Sequence, residues 1–249
     1  MRVPVRQAAL VPAIAMCALI ASACGVLAQK YEYEEEMYLR LDGSATVNVN
    51  ASVASLVALR GVDLPVDPKA RLDRGRVRAL FQTAGGPTPR VTLSRRGGRR
   101  FVHVSLEIPD VRQLQRQPMF AWSTYRFDRD SDSVVYRQRV GAPVVKAGDS
   151  GGWTGRELIV FKMHIPSEIP YHNAPSRKTE RGNILRWEQP LAARLKGEPL
   201  DVEVRMEPES ILYTTLLLFG ITIVAAAMTF GLVLWWVVRR GRDSEEVSI

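Results

Sequence analysis

Between Ser210 and Val238 the chain carries no charged side chain. Wound as a helix, the about 28 residues from Ile211 onward extend roughly 42 Å, against a bilayer hydrocarbon core of about 30 Å. No soluble core helix needs that length without a residue more polar than Thr or Tyr. Residues 210–238 therefore predict a transmembrane helix, tilted or with interfacial ends. Trp235 and Trp236 stand at one end of it, next to Arg239, Arg240 and Arg242. An aromatic belt followed by a positive flank places the tail, 239–249, in the cytoplasm. Ala227 and Gly231 form a small-xxx-small spacing that packs two spans together, and a homo-oligomer through them is one expectation.

A second apolar stretch opens the chain. Arg2 and Arg6 precede a run from Ala8 to Ala28 without a charge, and Ala21-Ser22-Ala23-Cys24-Gly25 lies at its exit. A positive start, an apolar centre and small exit residues make a signal peptide, assigned to 1–23. Three outcomes share the pattern. Small residues before Cys24 fit a loose lipobox in which the thiol is lipidated, although Ala21 stands where Leu is usual. Val26-Leu27-Ala28 also suits cleavage after residue 28, and an uncleaved anchor is the third outcome. All three put residues 24–209 outside the cytoplasmic membrane, in a single-pass protein of the bacterial envelope.

Both cysteines, Cys17 and Cys24, lie in the first apolar stretch. The middle region therefore has no disulfide framework, thiolate zinc site or cysteine nucleophile. Glu32, Glu34, Glu35 and Glu36 open it as an acidic, Tyr-interleaved stalk that leads into a strand at 37–41. Asp42-Gly43 predicts a hairpin turn, with the return strand at 45–53. A short helix follows through Leu56 and Leu59 to Gly61. A second helix starts at Asp67-Pro68, carries Val77, Leu80, Phe81 and Ala84, and stops at Gly85-Gly86. Hairpins are expected at 91–93 with 101–108 and at 122–127 with 134–140, separated by helical turns at 111–115. The stretch 158–165 is apolar on both faces and reads as a central strand, and 184–187 and 200–206 supply the last strands. The fold class is α+β, a mostly antiparallel sheet with a few short helices and one C-terminal transmembrane helix.

Catalytic motifs are sparse. Gly148-Asp149-Ser150-Gly151-Gly152 resembles the nucleophile segment of chymotrypsin-like proteases, where backbone amides beside the serine form the oxyanion hole. Such an enzyme needs an upstream base, and the upstream histidine is His103 in a predicted strand; two barrels also need more chain. A Gly-rich loop is the preferred reading, with an envelope serine hydrolase using Ser150 as the competing one. His103, His164 and His172 lack metal-ligand spacing, and no cofactor motif stands out, so neither metal nor cofactor is expected and the reading is non-enzymatic.

Charge is the distinctive feature that remains. Of the net +8, the portion between the two apolar segments keeps 29 basic and 23 acidic residues, a net of +6. Ten basic residues and one acid, Asp73, lie between Lys69 and Arg100, with Arg95, Arg96, Arg99 and Arg100 at one hairpin tip. Export rules out nucleic acid as a partner. Guanidinium pairs bidentately with phosphate, so these four arginines are expected to contact an anionic envelope component, a lipid or glycolipid, with a protein partner as the other ligand open to the domain. A solvated turn that protects a sheet edge is the plain alternative. An accessory subunit of a membrane transport or secretion complex is another reading.

Ala21-Ser22-Ala23-Cys24, the hairpin at Asp42-Gly43-Ser44, the late strand Gly182-Asn183-Ile184-Leu185-Arg186-Trp187 and the terminal anchor together resemble the LppM-type bacterial envelope proteins. The resemblance implies an α+β domain held at a membrane surface, a lipid or glycolipid role, and no catalytic residues to carry over.

Overall fold

The computed structural model describes residues 31–82, 86–143, 153–176, 179–180 and 182–245. The stretch read as a signal peptide, Cys24 and the Gly148–Gly152 motif with Ser150 lie outside the described residues. In chain order the elements are β1 (Tyr31–Leu39), β2 (Ala45–Ser52), α1 (Val53–Arg60), α2 (Arg74–Phe81), β3 (Arg90–Arg96) and β4 (Arg99–Ile108). A 3-10 helix (Val111–Arg116), β5 (Ser123–Arg129), β6 (Val134–Val140), β7 (Leu158–His164) and β8 (Tyr171–His172) follow. The chain continues through β9 (Ile184–Pro190), α3 (Leu191–Leu195), β10 (Leu200–Met206) and α4 (Ile211–Glu245).

The strands form two sheets. One has six strands in the order β3-β4-β2-β1-β7-β9, the other four in the order β5-β6-β10-β8. Every pairing among the described strands is antiparallel except β1 with β7. The expected α+β class holds, and β7 is interior, between β1 and β9, as expected, although its outer face carries Lys162 and His164. The split into two sheets comes at the 3-10 helix, whose Val111 and Leu114 are buried and which carries the chain from one layer to the other.

Alternation on β1, β2, β4, β7 and β9 gives the six-stranded sheet one apolar face and one polar face. Tyr33, Met37, Val47, Ala51, Val102, Leu106, Phe161, Met163 and Trp187 are buried on the inner side. The second sheet covers part of that face. Tyr33 meets Trp122 edge to face with ring centroids 5.5 Å apart, and Tyr125 and Gln138 both hydrogen-bond Glu35. α1 and α2 cover the β2–β4–β3 side while α3 packs on β9 and β7, and α2 is joined to the chain before β5 by Phe81 against Phe120 at 6.3 Å.

Local signals explain most element ends. Ser52 caps α1 by accepting from the Ser55 amide at 3.0 Å, and Gly61 ends it at φ 65°. Gly43 holds φ 84° in the first hairpin, and a Cβ there would stand 3.1 Å from the Phe127 ring. The start of α2 differs from the sequence expectation. Asp73, not the Asp67-Pro68 pair, is its cap, accepting from the Gly75 amide at 2.8 Å, while Asp67 turns the preceding loop. The acidic stalk is also corrected, because Tyr31–Leu39 is strand throughout.

Beyond β10, Ile211–Val237 is long and apolar enough to cross a membrane, with a mean hydropathy of 2.4 and none of that window buried. Its start is tied to the exit of β7: the Ile211 amide and Ser210 hydroxyl donate to the Pro166 carbonyl at 3.1 and 3.3 Å. Ala227 and Gly231 both lie on exposed parts of α4.

Candidate functional site

The basic hairpin is longer than the sequence implied. β3 and β4 pair out to Arg96 with Arg99, leaving only Gly97 and Gly98 in the turn. Both glycines have positive φ, 56° and 75°, which a two-residue turn of this kind requires. The four arginines are therefore strand residues, and the pleat sends them to different places.

Arg99 forms an ion pair with Glu32 and lies 3.7 Å from Glu157. Both carboxylates are buried, and Trp153 Nε1 donates to Glu32 at 3.4 Å. Burial pushes the Glu157 carboxyl up, but the Thr154 amide and hydroxyl and the Arg99 charge hold it below its ordinary value. The acidic start of β1 and the basic hairpin, separate features in the sequence, thus neutralise each other here. Arg96 donates to the Tyr31 carbonyl at 2.9 Å and lies over the Phe101 ring. Arg100 is buried, and its guanidinium forks to the carbonyls of Pro65 and Ala70. It clamps the 65–70 loop onto the sheet. Arg95 is exposed and has no ion pair among the described residues.

That clamp makes one wall of an open groove of about 470 Å³. Lys69, Ala70, Arg71 and Leu72 line one side, and Leu93, Ser94, Arg95, Arg100 and Phe101 the other. Lys69 and Arg71 are exposed and, like Arg95, without an ion pair among the described residues. Three uncommitted cations thus rim a floor that Leu72 and Leu93 make apolar, Leu93 lying on the same sheet face as Arg95 and Arg100. The cluster foreseen at Arg95, Arg96, Arg99 and Arg100 is regrouped: Arg95 joins Lys69 and Arg71, while the other three hold the scaffold. The density of basic residues after Lys69 was the signal available in the sequence.

Arg100→Ala removes two charge-assisted hydrogen bonds and leaves two carbonyls to find water. We expect it to lower the unfolding free energy by about 2–3 kcal/mol, measured by urea denaturation of the detergent-solubilised chain. A loss below about 0.5 kcal/mol would show that the loop is held by something else.

On the outer face of the same sheet His103 bridges Asn50 and Ser94. Asn50 Oδ1 only accepts, so His103 Nδ1–H donates to it at 2.9 Å and Nε2 accepts from the Ser94 hydroxyl at 2.7 Å. Burial and then the Arg96 charge hold the imidazole below its ordinary pKa. The order serine, histidine, amide is that of a nucleophile relay. Ser94 is mid-strand, however, where successive amides point in opposite directions, so its own strand supplies no convergent pair for an oxyanion. His164 pairs with Glu36 at 2.8 Å and stacks on Tyr38. No group of three potential metal-ligating side chains occurs among the described residues.

The NMR structure of the folded domain of LppM from Mycobacterium tuberculosis is similar in fold, with a TM-score of 0.40 and 9% sequence identity, over 72% of this chain and 91% of that one. The chain weakly resembles LppM. No family model and no curated protein matches it.

Proposed function

We propose that this chain is a non-enzymatic, membrane-anchored envelope protein whose extracytoplasmic domain binds an anionic lipid or glycolipid in the groove between residues 69–72 and the β3–β4 hairpin. The observation that carries the reading is the pairing of three uncommitted cations, Lys69, Arg71 and Arg95, with an apolar floor. An anionic phospholipid has both matching parts, a phosphate for the guanidinium groups and a chain for Leu72 and Leu93. The arginines after Trp236 support an orientation with the tail in the cytoplasm and the domain outside.

The test uses the full chain in phosphatidylcholine nanodiscs and soluble dihexanoyl phosphatidylglycerol as the probe, with dihexanoyl phosphatidylcholine as control. The phosphatidylglycerol probe is expected to bind and the control not to. Replacing Lys69, Arg71 and Arg95 together by Gln should weaken binding about tenfold or more with unchanged thermal stability, because all three are exposed. Equal affinity in the triple variant sinks the reading.

A further inference from the structure

Strand direction places the groove and the membrane helix at opposite ends of the six-stranded sheet. β1 and β7 run parallel, Tyr31 beside Leu158 and Tyr38 beside His164. Counting outward from that pair, Tyr33 is opposite Ala51 and Ala51 opposite Val102. Arg100 and Phe101 therefore sit level with Tyr31 and Leu158. At the other end the chain leaves His164 for Pro166, where Ile211 and Ser210 are hydrogen-bonded. Ser167 bridges to Ser210, and the Glu207 amide donates to the Glu168 carbonyl at 3.0 Å. The start of α4 is thus docked on the β7 exit rather than hung from a free tether. Six strand steps of about 3.3 Å separate the two levels, roughly 20 Å.

That separation decides which lipid the groove meets. A surface potential decays over a Debye length, about 8 Å at physiological salt, so at about 20 Å it has dropped to roughly a tenth. A basic residue at the level of Lys69, Arg71 and Arg95 thus keeps only roughly a tenth of the attraction it would have at an anionic surface. With the domain standing on the membrane by its β7-exit end, where α4 leaves it, headgroups of that membrane give these cations little attraction.

We propose that the groove docks the protein to an anionic lipid surface apposed to the membrane in which α4 is anchored, so that the domain bridges two surfaces. This rests on the groove reading above and adds the side from which the ligand comes. The apolar floor selects a lipid surface over a soluble polyanion, which has no part to place against Leu72 and Leu93.

The full chain in a phosphatidylcholine nanodisc is mixed with separate vesicles containing phosphatidylglycerol, and co-flotation is measured. The vesicles are expected to carry the nanodisc with them, and the Lys69→Gln, Arg71→Gln, Arg95→Gln variant to lose about fivefold or more of that capture. In a second arm phosphatidylglycerol is built into the nanodisc itself. Affinity for the soluble dihexanoyl probe should then stay within about twofold. Competition by lipid in the same disc, or binding of the probe without capture of vesicles, overturns the bridging proposal and leaves the groove standing. Failure of the probe to bind overturns both.

Discussion

Replacing Trp187 by alanine is expected to lower the unfolding free energy by about 4 kcal/mol. Trp187 is 1% exposed on β9 and occupies the middle of the interface between the sheets, beside Glu35, Met37, Phe161, Met163 and Val202. Most of the loss is packing, because a hole of this size between two pleated layers cannot close without moving both. The remainder is a hydrogen bond, from Nε1 to Asn173 Oδ1 at 2.9 Å, whose net worth is about 1 kcal/mol. Asn173 Oδ1 also accepts from the Glu203 amide at 2.8 Å, so the indole fixes the side chain that ties the β8 exit to β10. Trp187→Phe keeps much of the apolar contact and should cost about half as much. Urea denaturation reads both variants. Because the groove lies at another part of the fold, the folded fraction of Trp187→Ala should bind dihexanoyl phosphatidylglycerol normally. A variant that keeps its stability would remove Trp187 from the core.

Period-two alternation made most of the strands legible. Val202 and Val204 against Glu203 and Arg205 mark β10 without help from any other part of the chain, and Asp42-Gly43 sets the first hairpin by its own chemistry. β1 was obscured because four glutamates among six residues read as solvated charge. Their partners are remote: Lys162 for Glu34, His164 for Glu36, Arg99 for Glu32, and Tyr125 and Gln138 for Glu35. No local window contains those pairs. The same reason applies to the arginines. Composition located the basic region, but whether each guanidinium is free depends on the Pro65 and Ala70 carbonyls, the Tyr31 carbonyl and the Glu32 carboxylate, which only the fold brings near. β8 and α3, at two and five residues, are too short to show a period.

Glu35 supplies the other large effect. It is 2% exposed on the inner face of β1, where it accepts from Tyr33 at 2.9 Å, Gln138 at 3.1 Å and Tyr125 at 3.4 Å. The buried Arg60 guanidinium donates to the same Tyr33 hydroxyl at 2.8 Å and lies over the Trp122 ring. Burial pushes the Glu35 carboxyl above its ordinary value; the Arg60 charge and the three hydrogen bonds offset only part of that. Glu35→Ala strips the acceptor from three donors and leaves Arg60 without its nearest opposite charge, an expected loss of about 3–5 kcal/mol. Glu35→Gln isolates the titration. A carboxyl whose folded pKa lies above its unfolded value of about 4.3 contributes fully below that pH, and the contribution is lost as pH rises through the folded pKa. Asp42, Asp110 and Asp130, held low chiefly by hydrogen bonds from Ser44, Arg112 and the Asp132 amide respectively, act in the opposite sense. They are common to both proteins and cancel in the difference. Unfolding free energies of the native chain and Glu35→Gln, measured from pH 4 to pH 8, should therefore diverge, the native chain losing stability relative to the variant as pH rises from about 4.3. A difference that is flat with pH, or that rises, would show that the buried carboxyl is ionised as readily in the fold as in the unfolded chain, with Arg60 rather than burial setting its charge.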